Sequence, residues 1–306
     1  MAKLDLPAVV YNWLVAFFTG HAHRTVYNKE VSSTRSITAS IIQGSSIGPA
    51  SYTVTAADLQ PLYASNRFFK FADDTYLVVP AESADTRATE LSNIIAWAAT
   101  NNLKLNKLKT KEVVFYDSRR RRKLSPPPLL PDVDRDTTLK VLGVTLSSNM
   151  TASEHIRRVV SDSAQTLYAL RVLRHHGMKD ADLQTVFRAV VVARLTYASP
   201  ACRGFIRPTG ADLQRVEAFL RRCKRRHYCP SDMPDIVELM EEADERLFRS
   251  TLNNPHHTLH VLLPPQSTTS QNYQLRQRVH DRKLTEHIGH LIDKNFITRS
   301  LYKDMY

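Results

Sequence analysis

Two adjacent carboxylates, Asp73 and Asp74, stand between Arg67-Phe68-Phe69-Lys70-Phe71-Ala72 on one side and Thr75-Tyr76-Leu77-Val78-Val79 on the other. Aromatic and β-branched runs that meet at a short polar reversal predict a β-hairpin with the acids at its tip. Carboxylates held beside apolar strands are costly to desolvate unless something pairs them. Two together suit a hard divalent cation with oxygen ligands, and magnesium is the natural candidate. An Asp-Asp pair also makes a plain solvated turn, so the rest of the chain has to decide between chemistry and turn.

The elements that would position these acids can be read from periodicity. Residues 6–19 begin at Pro7 and place Val10, Trp13, Leu14, Phe17 and Phe18 at helical spacing up to Gly20, which predicts an amphipathic helix. Arg24–Tyr27 and Ser36–Ile41 predict two strands joined by a polar turn. A helix is expected from Pro49 through Tyr52 to Leu59, and another from Asp85 to Asn101 with Leu91, Ile94, Ile95 and Ala98 on one face. Leu103–Asn106 and Lys111–Phe115 read as strands with Lys109 in the turn between them, and Leu139–Leu146 as one buried-type strand.

From Glu154 the period becomes helical. Ile156, Val159, Val160, Ser163, Leu167 and Leu170 form one face, Leu183, Val186, Phe187, Val190 and Leu195 a second, and Leu213, Val216, Phe219, Leu220 and Cys223 a third. The outward faces carry Arg157, Arg158, Arg171, Arg174, Arg188, Arg215, Arg221, Arg222, Lys224, Arg225 and Arg226. Residues 230–306 hold an acidic helix around Asp235 to Ser250, a Pro- and Thr-rich loop and a polar helical end, with no chemistry that can be named.

Composition narrows the function classes. The 306 residues carry a formal charge of +12, and residues 119–229 alone hold 22 Lys and Arg against 9 Asp and Glu. A middle segment that basic is the footprint of a polyanion partner, nucleic acid ahead of an acidic membrane, since no lipidation motif or amphipathic anchor accompanies it. A solvated basic surface is the plain alternative. Apolar runs such as Val190–Ala193 are too short to span a bilayer, and Met1–Asp5 lacks a signal peptide's apolar stretch. Three cysteines, Cys202, Cys223 and Cys229, argue against a disulfide scaffold and for a reducing, intracellular compartment, nucleus or cytoplasm. Cys223, His227 and Cys229 fit neither a paired Cys-x-x-Cys zinc arrangement nor a zinc knuckle.

Gln43-Gly44-Ser45, Gly48-Pro49, Phe71-Ala72-Asp73-Asp74, Asn102 to Asn106 and Lys109-Thr110, in that order and at those separations, resemble the reverse transcriptase of non-LTR (LINE-type) retrotransposons, the jockey and CR1-like group in particular. The chain departs from that pattern at Ile41-Ile42, where the family usually has Val-Pro. The resemblance implies an α+β fold, a partial polymerase palm of antiparallel sheet with packed helices followed by an α-helical thumb-like bundle. It divides the chain into a palm part at 1–118, a basic, proline-rich connector at 119–138, a palm-closing strand and thumb-like region at 139–229, and a helical tail at 230–306. It implies RNA-directed DNA polymerase chemistry with a two-metal magnesium site at Asp73 and Asp74, and Gln43, Gly44, Phe71 and Lys109 beside nucleotide and template. Arg157, Arg158, Arg221 and Arg222 would meet the nucleic-acid backbone. The implied partners are an RNA template, a DNA primer and deoxynucleotides, with no membrane.

Two-metal transfer needs a further carboxylate on a facing strand, which in the family precedes the Gln-Gly segment by several tens of residues. Before Gln43 this chain offers Asp5 and Glu30 alone, neither in such a strand, so a truncated copy is expected. Two other readings stay open: a non-catalytic nucleic-acid-binding remnant, and a metal-dependent nuclease built on Asp58, Asp73 and Asp74. On the truncated reading, the 306-residue protein is expected not to extend a primer with magnesium and all four deoxynucleotides, whereas a version preceded by an acid-bearing strand does. Equal extension by both would mean that an acid already present completes the site.

Overall fold

The computed structural model describes residues 6–36, 45–116, 125–206, 210–267, 280–287 and 289–303. Gln43, Gly44, Asp5 and the basic run Arg119–Lys123 lie outside them. The described residues fall into two compact units, one within Met1–Glu112 and Leu124–Arg135, the other within Val113–Lys123 and Asp136–Tyr306. The architecture is α+β, helices with small antiparallel sheets, and among the described residues the strands pair two by two.

In the first unit, Pro7 precedes helix α1 (Ala8–Phe17), where its missing N–H costs nothing. The expected amphipathic burial is slight, since Leu14 alone of α1 is buried. The strands expected at Arg24–Tyr27 and Ser36–Ile41 are replaced, within the described residues, by four short ones. β1 (Ala22–His23) pairs with β4 (Arg35–Ser36) and β2 (Val26–Tyr27) with β3 (Glu30–Val31). Asn28 and Lys29, at φ 47° and 68°, make the tight reversal of the inner pair. Helix α2 (Gly48–Ala56) leads to a hairpin of β5 (Arg67–Phe71) and β6 (Asp74–Val78), followed by helix α3 (Arg87–Thr100).

Leu103–Asn106 is not a strand. The Asn106 carbonyl accepts from the N–H groups of Lys109 and Thr110 and from the Thr110 hydroxyl, which winds the chain into a turn instead. Strand β7 (Lys111–Val113) then pairs with β8 (Asp134–Asp136). Glu112 on β7 is gripped by Arg87 and Arg135, and both guanidiniums donate to the Pro128 carbonyl at 3.0 Å.

The second unit opens with a hairpin where one strand was expected. β9 (Thr138–Val141) and β10 (Val144–Ser147) are antiparallel about Leu142-Gly143, at φ 45° and 91°. A side chain at Gly143 would approach the Tyr197 ring to 3.2 Å, and the Tyr197 hydroxyl donates to the Leu142 carbonyl at 2.9 Å. The core is built from α4 (Ser153–His175), α5 (Asp180–Phe187), α6 (Ala193–Leu195), α7 (Ser199–Cys202), α8 (Ala211–Arg225) and α9 (Ile236–Asn253). Helix α10 (Phe296–Tyr302) seats Phe296 and Leu301 against Phe248 of α9 in a smaller cluster. Arg203 and Arg299 both bind the buried Asp244 of α9, at 3.1 and 2.7 Å.

The faces read on α4 and α8 are the buried ones: Ile156, Val159, Val160, Ser163 and Leu170 on α4, and Val216, Phe219, Leu220 and Cys223 on α8. The middle face slips by one residue. Between α5 and α6 the chain makes a π-helical turn over Arg188–Val192, which accommodates one extra residue per turn. The inward position passes from Val190, 38% exposed, to Val191, at 0%. Val191→Ala is therefore expected to cost about 1–3 kcal/mol through the cavity it leaves, and Val190→Ala no more than about 0.5 kcal/mol, measured by urea denaturation. Equal losses would contradict this phase.

Candidate functional site

The β5–β6 hairpin is in the register Arg67↔Val78, Phe69↔Tyr76, Phe71↔Asp74, so the loop is Ala72-Asp73. The two acids are thus divided: Asp73 lies in the loop and Asp74 begins β6. Ala72 holds φ 49°, a left-handed conformation that an L-residue adopts at a cost of roughly 1 kcal/mol. Alternation along the strands sets Phe69 (60% exposed) and Phe71 (62% exposed) on the outer face with Asp74, and Phe68, Lys70 and Leu77 on the half-buried inner face. The Tyr76 hydroxyl donates to Asp74 Oδ2 at 3.4 Å. Neither Asp73 nor Asp74 has an ion-pair partner among the described residues.

Two side chains, Lys70 and Glu90, hold this hairpin and the segment leading into it. Lys70 Nζ donates to the carbonyls of Ala56 and Leu59, at 2.6 and 2.7 Å, satisfying the C-terminal end of α2 where a cation is favoured. Burial lowers its pKa, against the opposing pull of Asp58. Tyr52, on α2, lies within the field of Asp73; burial and that carboxylate together raise its phenol. Asp58 accepts from Trp97 Nε1 at 2.8 Å, which ties the end of α2 to α3.

The other support is Glu90 on α3, which is fully buried. Its carboxylate accepts from the N–H groups of Leu62 and Tyr63, at 3.1 and 3.0 Å, and from Asn66 Nδ2 at 2.9 Å. Asn66 also donates to Thr86 Oγ1 at 3.0 Å. Burial pushes the Glu90 carboxyl up, but these donors, with Asn93, outweigh it and hold it below its ordinary value. The segment so clamped runs directly into β5.

The other expected site residues are not gathered at the hairpin tip. Lys109 is exposed in the Asn106–Thr110 turn, its N–H on Asn106 Oδ1 at 3.3 Å, and no described contact links it to Asp73. Asp58, Asp73 and Asp74 do not form a metal-holding set; among the described residues no three His, Cys, Asp or Glu side chains do. Burial raises the thiols of Cys223, to about 12, and Cys229. Both are packed in the helical core. Arg157, Arg158, Arg221 and Arg222 are all exposed on the second unit, where Arg158 lies 3.8 Å from Asp162. No described helix is long and apolar enough to cross a membrane.

Lys70, Tyr52 and Glu90 are the residues that sequence reasoning missed. Two of them left a signal: Lys70 alternates with Phe68 on one strand face, and Glu90 sits four residues before Ile94 in the apolar stripe of α3.

The profile of the family described as reverse transcriptase (RNA-dependent DNA polymerase) matches residues 1–146. A Drosophila melanogaster protein, "Probable RNA-directed DNA polymerase from transposon X-element", is 23% identical over 244 residues, which takes in 72% of this chain and 26% of that protein. The chain thus spans about a quarter of the length of the relative it matches. No solved structure matches it. The resemblance to non-LTR retrotransposon reverse transcriptases is borne out by the family profile and the relative together.

Removing the clamp should be expensive. Glu90→Ala leaves three donors without an acceptor in a dry site and is expected to cost about 2–4 kcal/mol in chemical denaturation. Because the folded carboxyl is depressed, its contribution is fully present above the usual 4.5 and is lost as pH falls through the folded value. The stability gap between wild type and Glu90→Gln therefore narrows below that pH. A gap that widens on acidification would reverse the assignment.

Proposed function

We propose, on the premise that residues 1–146 are a reverse transcriptase segment, that this chain contributes to RNA-directed DNA polymerisation with Asp73 and Asp74 as its acidic centre. One observation carries the reading: the two carboxylates project from a hairpin fixed by Lys70 and Glu90, and neither is paired with a cation among the described residues. A surface turn needs no such anchoring.

The donor set suits magnesium, since both ligands are carboxylates in the reach of solvent. Asp73 is the principal ligand and Asp74 its support. Bound there, the ions would neutralise the triphosphate and favour the primer hydroxyl as nucleophile. The protein's own part is positional: Lys70 fixes the hairpin on α2, and Ala72 aims the loop. Phe71 presents an exposed ring beside the acids, the resemblance assigns Gln43 and Gly44, outside the described residues, to nucleotide and template, and Lys109 meets phosphate. Arg157, Arg158, Arg221 and Arg222 hold the backbone of template and primer without reading sequence.

On this reading residues 1–118 are palm and 119–138 a connector. Residues 139–229 close the palm and form the thumb-like region, and 230–306 are a helical tail. The division of the described residues at Glu112 and Arg135 supports that partition. Two carboxylates complete only part of a two-metal site, so a third acid is required. A second reading, a nucleic-acid-binding remnant without catalysis, is favoured by the exposed Arg157, Arg158, Arg221 and Arg222 of the second unit, which could bind a polyanion without a catalytic centre.

Primer extension on an RNA template decides between them. In a protein preceded by the acid-bearing strand, Asp73→Asn should lower the rate at least about 1,000-fold, equivalent to roughly 4 kcal/mol of barrier, with primer-template affinity retained. Normal extension by the variant would remove Asp73 from the chemistry. No extension by the unmutated protein would favour the binding reading.

A further inference from the structure

Between β7 and β8 the chain carries Ser125-Pro126-Pro127-Pro128-Leu129-Leu130-Pro131. The four proline rings lock φ at about −65°, and Ser125 and Leu130, each standing before a proline, are driven out of the helical region. Such a composition dictates a polyproline II helix, with about three residues to the turn and no internal hydrogen bonds.

The structure bears both marks. Among the described residues no backbone–backbone hydrogen bond involves Ser125–Pro131. Exposure also repeats every third residue: Pro127 and Leu130 are half-buried, while Ser125, Pro126, Pro128, Leu129 and Pro131 are exposed, Leu129 to 68%. One edge of the helix thus lies on its own unit and the other two face outward. Asp132, at φ 58°, ends the run in a turn.

The helix is held at one atom in its middle. Arg87 and Arg135 each donate Nη2 to the Pro128 carbonyl at 3.0 Å, and Glu112 pairs with both guanidiniums. A grip on a backbone oxygen fixes the spine and leaves the rings free. Pro128 and Pro131, one turn apart, therefore share an outward edge, with Pro126 and Leu129 on the next. The other adjacent proline pair, Pro264-Pro265, is engaged within the fold: the Lys283 N–H donates to the Pro265 carbonyl at 2.9 Å beside the Gln266–Arg282 bridge.

We propose that Ser125–Pro131 is a docking segment for a protein domain with an aromatic-lined groove of the SH3 type. Grooves of this type take Pro-x-x-Pro segments in the polyproline II form, which Pro128-Leu129-Leu130-Pro131 supplies. A helix already formed and pinned has little left to order on binding, so more of the contact energy appears as affinity. The sequence places five cations, Arg119–Lys123, just ahead of the segment. The partner groove is accordingly acidic at the end that meets them. The inference goes beyond the polymerase reading and does not depend on it.

The test probes the full chain against an immobilised array of SH3 domains. At least one domain is expected to bind, and Pro128→Ala/Pro131→Ala should weaken that binding by at least about tenfold through the loss of one anchoring edge. Leu129→Asp, which keeps all four prolines, should weaken it as well. Pro264→Ala/Pro265→Ala should leave it unchanged. Absence of binding to every domain of the array overturns the proposal, and so does equal binding by wild type and the Pro128→Ala/Pro131→Ala double. Equal loss from both proline doubles would overturn the site. A complex that heparin dissolves and the Pro128→Ala/Pro131→Ala double retains would move the contact to the cations and a polyanion, and the proposal would fall.

Discussion

A carboxylate shut away from water organises the segment that presents Asp73 and Asp74. Ionised and unpaired, Glu90 would be intolerable in that position, yet three donors on the Leu62–Asn66 segment converge on it. The arrangement is cooperative, because each donor would be stranded if the acid moved and the acid would be stranded if the donors left. Its effect is to fix the path of the chain immediately before β5. From there Lys70 fastens the inner face of the hairpin to the end of α2, and Trp97 fastens that same end to α3 through Asp58. An exposed two-stranded hairpin is marginal by itself. Here it is held at its base through largely part-buried polar bonds, while its outer face, with Phe69 and Phe71, is exposed.

The second unit is organised differently, by an apolar helical core that leaves charge to the outside. Its basic side chains fall into two kinds. Arg174, Arg203 and Arg299 are turned inward onto carbonyls and onto Asp244 and serve the fold. Arg221, Arg222, Arg225 and Arg226 at the end of α8 make no such bond among the described residues, although in the sequence they look the same.

Much of the fold was legible in the chain. The faces of α4 and α8 follow a 3.6-residue period without interruption, so Ile156 to Leu170 and Val216 to Cys223 could be assigned to the core from spacing alone. The face through Val190 could not, because three consecutive valines give no sign of which one a π-helical turn will face inward. Leu139–Leu146 looked continuous because Leu142 gives no hint that it will adopt φ 45° beside Gly143. At the candidate site the hairpin and its acids were visible, but their supports were not. Hydrogen bonds such as those of Glu90 and Lys70 depend on carbonyls and amides brought together by the fold, and backbone groups carry no sequence signature.

The grip of Arg87 and Arg135 on Glu112 and the Pro128 carbonyl has a consequence for how the chain can vary in length. β7 and β8 are paired at their own positions, so the stretch of chain between them is closed at both ends. The entropy of closing such a loop rises only with the logarithm of its length, about 0.6 kcal/mol for each doubling. The half-buried ion pairs of Glu112 with Arg87 and Arg135 therefore let the length of this stretch vary at little thermodynamic cost while β8 and the hairpin that follows keep their starting point.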